Sequence, residues 1–226
     1  MREFNALQGY PQPKNIRYVH KNLRTIKSKI ISSYRDKEYY DGNRNNGYGG
    51  LKYDGRWQDI AKFMHKEYQL EDNSSILQIG CEKGFLLHDF KEIFPSLNVS
   101  GTEVSPYAIS NSMESIKSNI LLLDNFTQCP LADNSFDLVI AIGVIYPLNL
   151  ADAIKCIKHI QRVGKGKSFI TLGAYEDEES FKLFKMWSVL GSTILHVDEW
   201  KEVLEHCNYT GDYTFVTSKT LNLQEQ

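Results

Sequence analysis

From Ser75 onward the chain alternates short apolar runs with longer stretches whose apolar residues recur every three or four positions, and this alternation leaves few folds open. Ser75-Ile-Leu-Gln-Ile79 is an apolar run closed by Gly80, the pattern of a strand buried on both faces. Phe85, Leu86, Phe90 and Ile93 then mark the inner side of a helix over residues 84–93, stopped by Pro95. Asn98–Glu103 reads as a second strand. Ser105 followed by Pro106 supplies an N-cap and a first-turn proline for the next helix. Residues 120–123, 136–142 and 168–172 are expected as strands, with a helix over Leu150–Val163 between the last two. Acidic residues 176–179 open a helix through Trp187, in keeping with the helix dipole. A last helix is expected over 198–206 and a last strand over 213–218. Repeated strand–helix–strand units pair in parallel through right-handed crossovers. The expected fold class is therefore α/β: a doubly wound, mostly parallel, Rossmann-like sheet with helices on both faces and an N-terminal helical extension.

That extension differs in charge from the rest. Residues 1–37 hold nine Lys and Arg, Lys14 among them, against Glu3 and Asp36, a net of +7, which leaves −9 on the other 189 residues. Val19, Leu23, Ile26 and Ile30 step at helical intervals, predicting a basic helix with a narrow apolar stripe. Such a helix either packs on the acidic remainder or offers a site to an anionic ligand. The overall net charge of −2 is too balanced for a protein that coats nucleic acid. Residues 41–50, DGNRNNGYGG, hold four glycines and three asparagines and must be a loop. The expected organisation is a basic arm and loop over 1–50 and an α/β domain over 51–226. Trp57, Ile60, Ala61, Met64 and Tyr68 predict a helix at the start of that domain, with Asp54 as its N-cap. Cys81, Cys129, Cys156 and Cys207 are widely spaced without a CxxC, so neither a metal site nor a disulfide framework is expected. No apolar run approaches the roughly 20 residues of a membrane span, and no apolar leader core follows Met1. A soluble, reduced, cytoplasmic protein is the expectation, with its oligomeric state left open.

In an open parallel sheet, ligands sit beyond the carboxyl ends of the strands. The first strand ends in Gly80-Cys-Glu-Lys-Gly84, a turn that lets backbone approach a ligand and exposes the free N–H groups of the following helix. Glu103 ends the second strand 19 positions after Gly84, the spacing of a carboxylate that accepts from a ribose diol. These two features indicate a nucleotide-like ligand and leave a nicotinamide cofactor and S-adenosylmethionine both open. The turn lacks the GxGxxG of a pyrophosphate site, and Asp124-Asn125 stands where an acid could accept from an adenine amine.

Five stretches, SILQIGCEKGFLL, VSGTEVS, LLLDN, CPLADNSFDLVIAIGVIYPL and RVGKGKSFITLG, resemble in order and spacing the class I S-adenosylmethionine-dependent methyltransferase family over residues 75–175. The segment NNGYGGLKYDGRW resembles bacterial members encoded among sugar and surface-polysaccharide functions. The resemblance implies S-adenosyl-L-methionine as cofactor, held by Gly80, Cys81 and Gly84 of the turn, by Glu103 and Val104 at the ribose, and by Asp124, Asn125 and Ala141 around the adenine. It implies a small-molecule acceptor, a sugar or nucleotide-linked sugar, anionic in view of the basic arm. Neither a membrane nor nucleic acid is the expected partner. Gln78 departs from the family's usual strand acid, Glu82 from a common glycine, and the chain ends soon after its last strand, shortening the family's terminal hairpin.

The segment from Tyr48 to Trp57 reads as a lid, with Tyr53 covering the cofactor and Arg56 pairing with its carboxylate. Tyr146 and Tyr175, after the fourth and fifth strands, are the candidate acceptor contacts. No catalytic residue is assigned, since methyl transfer can proceed by alignment alone. His88, His196 and the thiol of Cys81 are expected to be structural. A nicotinamide-dependent oxidoreductase and a non-catalytic binding protein remain the alternatives.

Overall fold

The computed structural model describes residues 1–13, 15–128 and 130–226, so Lys14 and Cys129 lie outside the described residues. The N-terminal segment contains β1 (Arg2–Glu3), β2 (Arg17–Val19), α1 (Ile26–Ser33), α2 (Lys37–Tyr40) and a 3-10 turn at Arg44–Asn46. After α3 (Gln58–Glu67) come β3 (Ser75–Ile79), α4 (Phe85–Ile93), β4 (Asn98–Glu103), α5 (Pro106–Ser110) and β5 (Ile120–Leu122). The second half holds β6 (Leu138–Ala141), α6 (Leu150–Val163), β7 (Ser168–Tyr175), α7 (Glu178–Trp187), β8 (Leu195–His196), α8 (Val197–His206), β9 (Asp212–Val216) and β10 (Leu223–Glu225).

The main sheet runs β1-β9-β7-β6-β3-β4-β5, with β8 beside β7. Every pairing in it is parallel. From β3 the chain winds outward through β4 and β5, then returns to β6 on the other side. Strand order therefore reverses between β3 and β6, and a crevice opens beyond their carboxyl ends. Leu77, Ile79, Val139 and Ile170 face α6 and α8, with Trp200 fully buried there and its indole N–H donating to the Gly173 carbonyl at 2.9 Å. Ile76, Leu138, Ile140 and Phe169 face α3 and α4 on the other side. Alternate strand residues thus enter two cores, which makes β6 apolar throughout and β3 and β7 mostly so.

Two local expectations are corrected, and a C-terminal strand is new. The stripe from Val19 to Ile30 is not one helix. Val19 is a buried strand residue whose neighbours pair with β10, while Ile26 and Ile30 sit exposed on α1. Thr25 starts that helix by accepting from the Ser28 N–H, so the helix begins after the stripe's first half. Asp54 does not cap α3: its carboxylate accepts from the Arg56 N–H at 3.2 Å, and the cap position belongs to Trp57. Strand β10 has no expectation behind it. It pairs in parallel with β2, and β9 runs parallel to β7, so among the described residues no antiparallel hairpin closes the sheet.

Candidate active site

The glycine turn lies beyond β3. Gly80, Glu82 and Gly84 have φ of 66°, 53° and 74°, all in the left-handed region. At Gly84 a side chain would collide with Ile116, so this glycine is required by packing as well as by backbone conformation. Glu82 holds the same backbone without glycine's freedom, a conformation that costs on the order of 1 kcal/mol. Gly84 precedes α4 with no side-chain cap, which leaves the first N–H groups of that helix facing the turn.

Glu103 ends β4 fully buried. Its Oε2 accepts from the Glu82 N–H at 2.8 Å, and its Oε1 accepts from the Val104 and Ser105 N–H groups at 2.8 and 3.0 Å. This carboxylate ties the turn beyond β3 to the end of β4. Three of its roughly four acceptor positions are in use. Asp124 and Asn125, beyond β5, are exposed and line an open cleft of about 480 Å³ with Leu122, Leu123, Gln128, Pro130 and His159. Ala141 is buried at the end of β6.

The N-terminal segment covers this crevice. The Ser105 hydroxyl, while capping α5, donates to the Arg35 carbonyl at 2.5 Å. Lys83 in the glycine turn is buried, and its ammonium donates to both oxygens of Asp41 at 2.7 and 2.8 Å and to the Leu51 carbonyl at 2.9 Å. Asp41 also accepts from the Tyr107 hydroxyl at 2.7 Å. Burial works against the Asp41 charge, but Lys83, Tyr107 and the Leu51 N–H outweigh it and hold the carboxyl below its usual range. Tyr48 donates to Glu82 Oε1 at 2.5 Å. Tyr39, Tyr40 and Tyr48 pack ring on ring beside it. Burial pushes the Glu82 carboxyl up to about 7, with the neighbouring Glu103 charge adding to the effect and Tyr48, Arg35 and Lys83 opposing it. Tyr146 feels the same charges: burial raises its hydroxyl, Glu82 raises it further, and Arg35 and Arg24 pull it down.

Other expected residues lie elsewhere. Tyr53 packs edge-on against Phe85 and His88 and donates to Asp89 of α4. The Arg56 guanidinium is held by Asp54 at 2.5–2.9 Å and reaches the Tyr10 hydroxyl at 3.3 Å. Among the described residues neither bonds Glu82 or Glu103, because Asp89 takes the Tyr53 hydroxyl and Asp54 the Arg56 guanidinium. Tyr175 packs on Phe181 and His196, whereas Tyr146 packs on Phe184. His196 caps α8 and His88 bonds Ser115, the structural roles expected of them. Cys81 is buried and its thiol is pushed well up by burial, unsuited to act as a nucleophile. The residues missing from the sequence reading are Arg35, Tyr39, Tyr40, Asp41 and Lys83. Their one signal is the aromatic pair Tyr39-Tyr40 behind a capping Asp36, inside a segment dominated by its charge.

The fit to S-adenosylmethionine can be judged on donors and acceptors. A left-handed turn, an uncapped helix start, a buried strand-end carboxylate and an exposed acid at the next strand end provide the required groups in the required order. Two buried polar atoms, Gln78 Oε1 and the Tyr40 hydroxyl, have no hydrogen-bond partner among the described residues. Groups like these are expected to find one, here in a bound molecule.

Residues 77–172 match the family model described as a methyltransferase domain. None of the curated proteins matches the chain in sequence. Among solved structures, the YcgJ protein of Bacillus subtilis is similar at 16% identity and a TM-score of 0.53, over 65% of this chain and 66% of that one. A Bacillus halodurans protein assigned to the methyltransferases aligns at 15% identity and TM-score 0.52, over 65% and 67% of the two chains. The [4+2]-cyclase SpnF aligns at 12% identity and TM-score 0.52, over 84% and 74%. These likenesses establish the fold, and the chain spans about two thirds of YcgJ. The matched stretch begins inside β3 and ends inside β7, so the part of the chain that is similar to a methyltransferase domain carries the glycine turn and Glu103.

Proposed function

We propose that this protein moves the methyl group of S-adenosyl-L-methionine to a small-molecule acceptor, a sugar or nucleotide-linked sugar of surface-polysaccharide synthesis. The observation that carries the reading is the Glu103 carboxylate, fully buried at the end of β4 and bonded to the backbone of the glycine turn. In this reading Gly80, Gly84 and Glu103 hold the turn and ribose sides, and Asp124 with Asn125 takes the adenine edge. The cofactor supplies a methyl group on a positively charged sulfur. The protein's part is to hold the acceptor atom in line and to exclude water. Glu82, bonded to Tyr48 and acting on Tyr146 through its charge, lies where it can accept a proton or offset positive charge.

The cover bears on how an acceptor would enter. Residues 35–51 lie over the glycine turn, through Ser105 to Arg35, Lys83 to Leu51 and Tyr48 to Glu82, so in this reading the acceptor approaches the cofactor beside Tyr48 and Glu82. The sugar itself rests on the resemblance of residues 45–57. Mass spectrometry of the purified protein for a retained cofactor, followed by transfer assays against a metabolite library, tests the reading. Tight binding of NAD with no binding of S-adenosylhomocysteine would replace it with an oxidoreductase.

A further inference from the structure

Trp187, the last residue of α7, is ringed by three guanidinium groups. The central carbons of Arg24, Arg17 and Arg44 lie 4.4, 5.2 and 5.4 Å from an indole ring centroid. None of the three has an ion-pair partner among the described residues, whereas Arg2, Arg56 and Arg162 each have one. Arg44 donates only to the Gly47 and Tyr48 carbonyls, and Arg17 and Arg24 donate no side-chain hydrogen bond among the described residues. Each guanidinium has five N–H donors, so most of this capacity is open.

Such a cluster is unfavourable in the free protein. Burial, then repulsion from Arg44, lowers the affinity of both Arg17 and Arg24 for their protons, bringing Arg24 to about 10. Contact with the indole face offsets part of this cost and leaves the mutual repulsion in place. The remaining compensation must come from an anion. A single carboxylate would leave two charges unmatched. A phosphoryl group offers more charge and several acceptor oxygens, and the planar guanidinium fork suits it.

The cluster also adjoins the Tyr48–Glu82 pair described above. Arg44 bonds the Tyr48 carbonyl, and the Tyr48 hydroxyl bonds Glu82. The charge of Arg24 acts on Tyr39 and Tyr146. We propose that Arg17, Arg24 and Arg44, arranged around Trp187, form a subsite for the phosphate or diphosphate group of the acceptor. This rests on the methyl-transfer reading only in naming the bound molecule as the acceptor; the anion site stands on its own geometry.

The test is calorimetric titration of the full chain with pyrophosphate, inorganic phosphate and acetate at low ionic strength, with S-adenosylhomocysteine titrated in parallel. Pyrophosphate should bind more tightly than phosphate, and acetate should give no heat. Arg24→Gln and Arg17→Gln should each weaken pyrophosphate at least tenfold, leave S-adenosylhomocysteine affinity unchanged, and raise the Tm of the ligand-free protein by relieving repulsion. Absence of pyrophosphate binding, or unchanged affinity in both variants, overturns the subsite. A lowered ligand-free Tm in both variants also overturns it, since the arginines would then be structural packing on Trp187. If pyrophosphate binds as expected and S-adenosylhomocysteine does not, the subsite stands and the methyl-transfer reading falls.

Discussion

Replacing Glu82 by Gln removes a charge the fold resists while keeping an acceptor for the Tyr48 hydroxyl. The Glu82 carboxyl stands at about 7 against an ordinary value of 4.5, chiefly because it is desolvated. At 1.36 kcal/mol per unit, this corresponds to about 3 kcal/mol between the protonated and ionised limits. The sign follows from the folded protein holding this proton more tightly than the unfolded chain. The contribution is fully present below about pH 4.5 and is lost as pH rises through about 7. Glu82→Gln should therefore be more stable than the parent at pH 8, by up to about 3 kcal/mol, with the gap closing toward pH 4.5. For a chain of this size that is a Tm difference of roughly 6–12 °C. Thermal melts of both proteins from pH 4.5 to 8 measure it, and the six histidines cancel in the difference. Parallel Tm profiles across this range would refute the reasoning, and so would a variant that is less stable at pH 8.

Glu103→Ala would leave the N–H groups of Glu82, Val104 and Ser105 without their acceptor. A loss of about 3 kcal/mol or more is expected in urea unfolding, together with at least tenfold weaker S-adenosylhomocysteine binding by calorimetry; Glu103→Gln, which keeps an acceptor oxygen, should lose less stability. Gly84→Val combines a left-handed φ with a collision against Ile116 and should cost about 1–3 kcal/mol or more as well as weaken cofactor binding, read by the same two measurements. Asp41→Ala would strand the buried Lys83 ammonium, at a cost of about 3–5 kcal/mol. Hydrogen exchange across residues 36–51 should accelerate in that variant, and exchange there in the parent should slow when S-adenosylhomocysteine binds.

The strands and helices beyond residue 75 were legible because one physical signal governs them. Ser75–Ile79 and Leu150–Val163 have the expected bounds, since a strand buried on both faces is mostly apolar and an amphipathic helix is apolar at every third or fourth position; Asn98–Glu103 has them too, although Val99 is its one large apolar residue. The glycine turn and Glu103 were legible for a related reason: left-handed backbone and a strand-end carboxylate each demand a narrow set of residues. The N-terminal segment carries no comparable signal. Val19, Ile26 and Ile30 have helical spacing, yet Val19 pairs through its strand with β10, a partner about 200 residues away, and periodicity reports nothing about such a contact. Local bonding likewise decided Arg56, which Asp54 holds two residues away. Sequence by itself therefore determined the parallel sheet, the crevice and the residue types that border it. Only the tertiary structure decided what covers the crevice, because the bonds of Lys83 to Asp41, Tyr48 to Glu82 and Ser105 to Arg35 join residues 34 to 70 positions apart and depend on folded geometry that no local pattern encodes.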